Sequence, residues 1–184
     1  MKKLFVISGS SGVGKGTVIK EFLMRNPNFK LSISCTTRKM RAGEVDGVNY
    51  FYITREEFQS GIAKGDFLEW AEFSDNFYGT SKTFVEKSLA RGEDILLEID
   101  TQGALKVKEL MPDSVLIFIA PPSFEELENR LRGRKTESEE VIQKRLNQAA
   151  REREASKKYD YVIVNDTISE AVKRIEAIVL ESSK

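Results

Sequence analysis

The sequence has no histidine, one cysteine and four prolines in 184 residues. Without histidine there is no imidazole general base, no histidine-containing triad and no histidine zinc site. A lone Cys35 excludes an intramolecular disulfide framework and is expected of a reducing cytosol. An excess of either charge is also missing, because 29 Lys plus Arg balance 29 Asp plus Glu. A chain that coats nucleic acid would carry a basic surplus, so no nucleic-acid partner is expected. No run approaches the ~20 apolar residues of a membrane span. The apolar run after Met1-Lys2-Lys3 is only Leu4 to Ile7, short of the ~7–15 residues of a secretory signal core. The expectation is a soluble cytoplasmic protein with no membrane partner. Linkers, repeats and low-complexity tracts are absent too, and the length suits a single domain spanning 1–184.

What is present is a core-forming composition, 40% hydrophobic and 32% charged, arranged as alternating strands and helices. Leu4–Ile7, Ile95–Leu97 and Val115–Ala120 are short, wholly apolar runs, as expected of strands buried on both faces. Further strands are expected over 31–34, 50–53, 67–73 and 161–164. Helical spacing predicts helices from Val18 to Asn26-Pro27, and over 55–64, 81–91, 101–110, 123–132 and 138–157. A last helix is marked by Val172, Ile175 and Val179. Strands separated by such helices imply βαβ units, hence an α/β fold with a parallel sheet flanked by helices. The stretch 35–80 breaks that rhythm. It is read as an inserted mixed α+β lobe at the carboxyl ends of the strands, where open α/β folds bind ligands.

Gly9-Ser10-Ser11-Gly12-Val13-Gly14-Lys15-Gly16-Thr17 follows the first buried strand and opens a helix. Its start and spacing match G-x-x-x-x-G-K. The glycines let successive N–H groups turn inward as an anion nest at the positive end of a helix, and Lys15 adds a charge for the β- and γ-phosphates. The strict pattern has Ser or Thr directly after the lysine. Here that place is Gly16 and the hydroxyl follows at Thr17, so direct and water-mediated metal contact both stay open. Ile95 to Asp100 is an apolar strand ending in acid, the arrangement that holds a metal or its waters in such proteins.

Taken together, these segments resemble guanylate kinase. The likeness is carried by the loop Gly9–Thr17, by Ser34-Cys35-Thr36-Thr37-Arg38 through Arg41-Ala42-Gly43-Glu44, by Tyr50-Phe51 and Glu69, and by Tyr78-Gly79-Thr80. It continues through Glu98-Ile99-Asp100-Thr101-Gln102-Gly103, Arg130 to Arg134 and Val164-Asn165-Asp166. It runs over essentially the whole chain. The resemblance implies a P-loop NTPase-type core at about 1–34, 81–124 and 146–184, a GMP-binding lobe at about 35–80 and a helical lid at about 125–145. It implies transfer of the γ-phosphoryl group of ATP to GMP with Mg²⁺, and leaves dGMP open as a second acceptor and oligomeric state open as well.

The residues fit that chemistry. A monophosphate dianion needs several donors, and Arg38, Arg41, Tyr50 and Tyr78 supply guanidinium forks and phenolic hydroxyls. Guanine presents N1–H and N2–H₂ as donors, which a carboxylate at Glu69 accepts, while Ser34 and Thr80 offer hydroxyls to the acceptor edge. Asp100 is matched both to the guanine edge and, with Thr17, to the metal. Asn165 and Asp166 are matched to adenine. Lys15, Arg38, Arg130, Arg134 and Arg145 are the expected catalytic cations. The other charges of 125–158, such as Glu126 with Arg130, Glu140 with Lys144 and Glu154 with Lys158, read as i,i+4 surface pairs worth ~0.2–0.5 kcal/mol each. The chain departs from the family at Ser10 (commonly proline), Glu98 (often aspartate) and Lys135 (commonly glycine). The alternatives are a monophosphate kinase of other base specificity and a non-catalytic binding module of the same fold.

Overall fold

A computed structural model describes residues 3–10, 12–73, 75–133 and 138–182. The elements in order are β1 (Leu4–Gly9), α1 (Lys15–Arg25), β2 (Phe29–Leu31), β3 (Cys35–Thr36), β4 (Phe51–Tyr52), α2 (Arg55–Lys64), β5 (Phe67–Phe73) and β6 (Asn76–Ser81). They continue with α3 (Lys82–Ala90), β7 (Asp94–Glu98), α4 (Thr101–Leu110), β8 (Val115–Ala120), α5 (Phe124–Gly133), α6 (Glu139–Ala155), a 3-10 turn (Ser156–Lys158), β9 (Tyr161–Val164) and α7 (Ile168–Ser182).

The central sheet has the order β2-β7-β1-β8-β9, with every neighbouring pair parallel. Alternation along each strand sends side chains to opposite faces. Phe5 and Ile7 pack with α1 and α7 through Val18, Ile19, Phe22, Val172 and Ile175. Leu4 and Val6 pack on the other face with Val85 of α3 and Ala104 and Val107 of α4. This two-sided burial is why β1, β7 and β8 read as unbroken apolar runs, with each such side chain contributing roughly 1.5–3 kcal/mol. Among the described residues no helix is long and apolar enough to cross a membrane.

The segment after β2 forms a second, mixed sheet of order β4-β3-β6-β5, backed by α2. Helix α2 starts in a capping box between Thr54 and Glu57 and ends at Gly65, which has φ 72°. Leu68 of β5 joins the core beneath the central sheet and anchors the second sheet to it.

Two expectations for this region need correction. The strand expected over 31–34 is split, because Leu31 closes β2 in one sheet and Cys35 opens β3 in the other. Residues 32–34 cross between the sheets, with Ser32 N–H still donating to the Leu96 carbonyl. Strand β6 matches none of the strands placed by periodicity. It pairs antiparallel with β5 across a connection where Asp75 adopts φ 61°, and the glycine in Tyr78-Gly79-Thr80 hides its strand pattern. That glycine is a packing device, since a Cβ there would lie 2.9 Å from both Phe58 and Phe67.

Helices α5 and α6 form a small body of their own around Leu127, Leu131, Ile142, Leu146 and Ala149. The Glu126–Arg130 and Glu140–Lys144 pairs form as expected. Glu154 pairs with Lys157 instead of Lys158, because the chain tightens into a 3-10 turn there and brings i+3 into line.

Candidate active site

The phosphate loop is held at both ends. At its start Gly9 lies against β8, where a Cβ would stand 2.5 Å from the Ile119 carbonyl oxygen. At its end Gly14, with φ 88°, caps α1. Between them Val13 is buried and its carbonyl accepts a 2.7 Å hydrogen bond from Nδ2 of Asn165. Asn165 is itself fixed by its backbone N–H, which donates to the Ala120 carbonyl. So the residue expected at adenine also clasps the loop from the end of β9. Ser10 is buried and Ser11 lies outside the described residues.

Lys15 and Thr17 open α1 in different directions. Lys15 lines the cleft between the two sheets, and its Nζ stands 4.0 Å from Oε1 of Glu98 at the end of β7. Thr17 lines a separate groove of about 400 Å³ with Gly12, Gly14, Arg130, Asn165 and Asp166. Ile168, a partly exposed apolar side chain at the start of α7 with no distinguishing motif in the sequence, walls that groove. The expected metal residues Thr17 and Asp100 therefore line different clefts. The acid beside the loop lysine is Glu98, whose Oε1 would lie 3.9 Å from a Cβ at Gly16. Among the described residues no group of three or more His, Cys, Asp or Glu could hold a metal ion.

The cleft between the sheets measures about 440 Å³ and is lined by Lys15, Ser34, Tyr50, Glu69, Tyr78 and Asp100, with Gln148 from α6. Glu69 is only 6% exposed. It stands opposite Thr80 in the β5–β6 register, and the Thr80 hydroxyl donates to its Oε1 at 2.6 Å. Burial pushes the Glu69 carboxyl above the ordinary glutamate range, with the neighbouring Asp100 charge adding to the rise and the Thr80 bond opposing it. The Thr80 proton is thus committed to Glu69 rather than to an acceptor in the cleft, leaving Ser34 as the open hydroxyl. Asp100 caps α4, its Oδ1 accepting from Gly103 N–H at 2.8 Å.

Arg38 lies against two tyrosines, its Cζ 5.4 Å from the Tyr50 ring centre and 5.8 Å from that of Tyr52. The Tyr50 and Tyr78 rings meet edge to face at 5.9 Å, and burial raises the Tyr50 phenol. Arg38 forks onto Glu44 at 3.0 and 2.8 Å and also donates to the Lys39 carbonyl. Glu44 and the Lys39 carbonyl take three of its five N–H donors, and the Tyr52 hydroxyl lies within reach of the same guanidinium. Glu44 is the organiser here, since it also accepts from Arg41 N–H and the Tyr52 hydroxyl. These donors hold its carboxyl down at about 2. In the sequence Glu44 carries no signal of this role beyond being an acid six residues after an arginine in a Gly-containing turn. The Arg41 side chain is exposed.

Of the cations expected on the lid, Arg130 donates to Glu126 at 2.9 Å and reaches the Asn165 carbonyl at 3.4 and 3.5 Å. Arg145 is half-buried on α6, and Arg134 lies outside the described residues.

The guanylate kinase family model matches residues 1–182. The chain is 53% identical over 176 residues to a guanylate kinase of Clostridioides difficile, covering 96% of this chain and 86% of the relative. It is 55% identical over 177 residues to one of Caldanaerobacter subterraneus, with the same coverage. A crystal structure of guanylate kinase from Anaplasma phagocytophilum superposes with a TM-score of 0.80 at 38% identity, covering all of this chain and 87% of that one. With its phosphate loop, its inserted mixed sheet and these relatives, the chain belongs to the guanylate kinase family.

Proposed function

We propose that this chain transfers the γ-phosphoryl group of ATP to GMP, releasing ADP and GDP. One observation carries the reading furthest: a buried carboxylate braced by a hydroxyl, Glu69 with Thr80, faces the same cleft as the phosphate-loop Lys15. An ionised carboxylate with two accepting oxygens complements the N1–H and N2–H₂ of guanine, whereas adenine would set its N1 lone pair against that charge. A site built this way rejects the wrong base because its own polar groups would be left unpaired.

In this reading Ser34 and Asp100 complete the base pocket. Arg38, Arg41, Tyr50 and Tyr78 hold the GMP phosphate. The backbone of Gly9–Thr17 and the Lys15 ammonium cradle the ATP phosphates, and Asn165 and Asp166 border the adenine. An anionic oxygen of the GMP phosphate attacks the γ-phosphorus in line, and the bond to the β,γ-bridging oxygen breaks. No proton must be removed from the acceptor, so a chain without histidine lacks nothing it needs. The protein's task is alignment and charge neutralisation. Arg130, Arg134 and Arg145 stabilise the transferring group as α5 and α6 close and exclude water.

Mg²⁺ entering with ATP would neutralise phosphate charge. The donor set fits a hard cation bound mainly by phosphate and water, with Thr17, Glu98 and Asp100 as the oxygen side chains within reach of those clefts. The test is a coupled ADP-release assay with ATP and Mg²⁺ and each of GMP, AMP, UMP and CMP. Turnover dependent on GMP is expected, and equal turnover with AMP would overturn the assignment of Glu69 to guanine.

A further inference from the structure

Gly103 is an anomaly among the glycines. It sits in the first turn of α4 with an ordinary helical backbone, since it is not among the residues with positive φ. Alanine would form that helix better, so the backbone does not explain the glycine. Its neighbour does. A Cβ on Gly103 would stand 2.6 Å from Oε2 of Glu69 and 3.1 Å from its Cδ. Packing glycines such as Gly61 and Gly79 face aromatic rings instead.

We infer that Gly103 is a specificity-determining positioning residue: its bare Cα forms the back wall that lets the Glu69 carboxylate stand where guanine is read. The inference rests on the assignment of Glu69 to guanine made above. Oε1 of the carboxylate is held by the Thr80 hydroxyl at 2.6 Å, and Oε2 occupies the space a Cβ at Gly103 would need, 2.6 Å from where that atom would stand. If a methyl group enters at 103, the yielding partner is the end of a side chain and not backbone. The fold therefore absorbs the change, while the carboxylate leaves its place.

The test is a cycle of Gly103→Ala, Glu69→Asp and the double variant, with GMP and inosine monophosphate as acceptors. Inosine monophosphate keeps N1–H but lacks the N2 amino group, so the GMP preference reports the two-point contact. Gly103→Ala is expected to raise KM for GMP by about tenfold and to cut the preference for GMP by a similar factor, as loss of a charged hydrogen bond does. Its melting temperature should be unchanged or higher, and KM for ATP unchanged. In the Glu69→Asp background the shorter side chain no longer reaches the wall, so adding Gly103→Ala should have little further effect. Equal losses from Gly103→Ala in both backgrounds, or a fall in kcat and melting temperature at unchanged GMP preference, would mean a purely structural glycine and overturn the inference. If Glu69→Asp itself leaves the GMP preference untouched, the assignment of Glu69 fails first, and the role of Gly103 falls with it.

Discussion

On the β5–β6 side of the molecule the groups proposed to recognise GMP are braced by neighbours. Glu69 is buried, bonded to Thr80 and backed by Gly103. Arg38 is forked onto Glu44 and lies against Tyr50 and Tyr52. On the phosphate-loop side the lysine is held more loosely. Lys15 is 4.0 Å from Glu98, while Arg130 pairs with Glu126 at 2.9 Å and its contacts to Asn165 stretch to 3.5 Å. The difference teaches a division of labour. Choosing the acceptor needs groups fixed in place, because an unpaired buried carboxylate penalises the wrong base only if it cannot turn away. Transfer needs cations that gather on charge once both nucleotides are present.

The largest effect expected lies on the loose side. Lys15→Met should lower turnover by roughly 10²–10³-fold or more, the scale for losing a transition-state contact, with the circular dichroism spectrum unchanged. Near-normal turnover would erase the contrast between the two sides.

Next in size, Glu69→Gln should reduce discrimination of GMP from AMP by about 10-fold or more, as expected for one charged hydrogen bond. The same variant carries a sign test. Burial raises the Glu69 carboxyl, so its ionised form costs stability at neutral pH, and that cost fades as pH falls through the raised value toward the ordinary glutamate value. Glu69→Gln should therefore melt no lower than the parent at pH 7, with the advantage shrinking on acidification. The GMP-over-inosine-monophosphate preference of the parent should decay with acid at a pH above the ordinary glutamate pKa of about 4.3, and be flat in Glu69→Gln. Glu44, held down at about 2, stays ionised across that window and cannot mimic the effect.

Asn165→Ala removes the clasp on Val13 and should cost roughly 1–3 kcal/mol of stability, since it strands a buried carbonyl. It should also raise KM for ATP more than KM for GMP. The smallest effect belongs to Lys144→Ala. The Lys144 and Glu140 side chains are 74% and 79% exposed, and their pair should contribute under about 1 kcal/mol. A larger shift in melting temperature would show that the α5–α6 body relies on its surface charges.

Most of the central sheet was legible because burial on both faces writes itself as apolar runs, and the strands at 115–120 and 161–164 appear where periodicity put them, whereas the half-buried edge strand β2 lies ahead of the expected 31–34. The second sheet was only half legible. The strands expected at 50–53 and 67–73 form as β4 and β5, but β3 is two residues, too short for any period, and Gly79 interrupts β6 where two aromatic rings need the space. Chemistry-bearing residues such as Lys15, Arg38 and Glu69 announced themselves by type and motif. Residues that act by what they leave room for, or by holding another group, did not. Gly103 has no side chain to notice, and Glu44 looks like any loop acid until Arg38, Tyr52 and the Arg41 backbone converge on it.

The most direct test of this division is a crystal structure with GMP and a non-hydrolysable ATP analogue bound together. The account expects guanine against a Glu69 carboxylate still bonded to Thr80 and unmoved beside Gly103, with the two phosphate tails meeting between Lys15 and Arg38. Guanine seated away from Glu69, or a Glu69 side chain that swings into place only when GMP arrives, would contradict it.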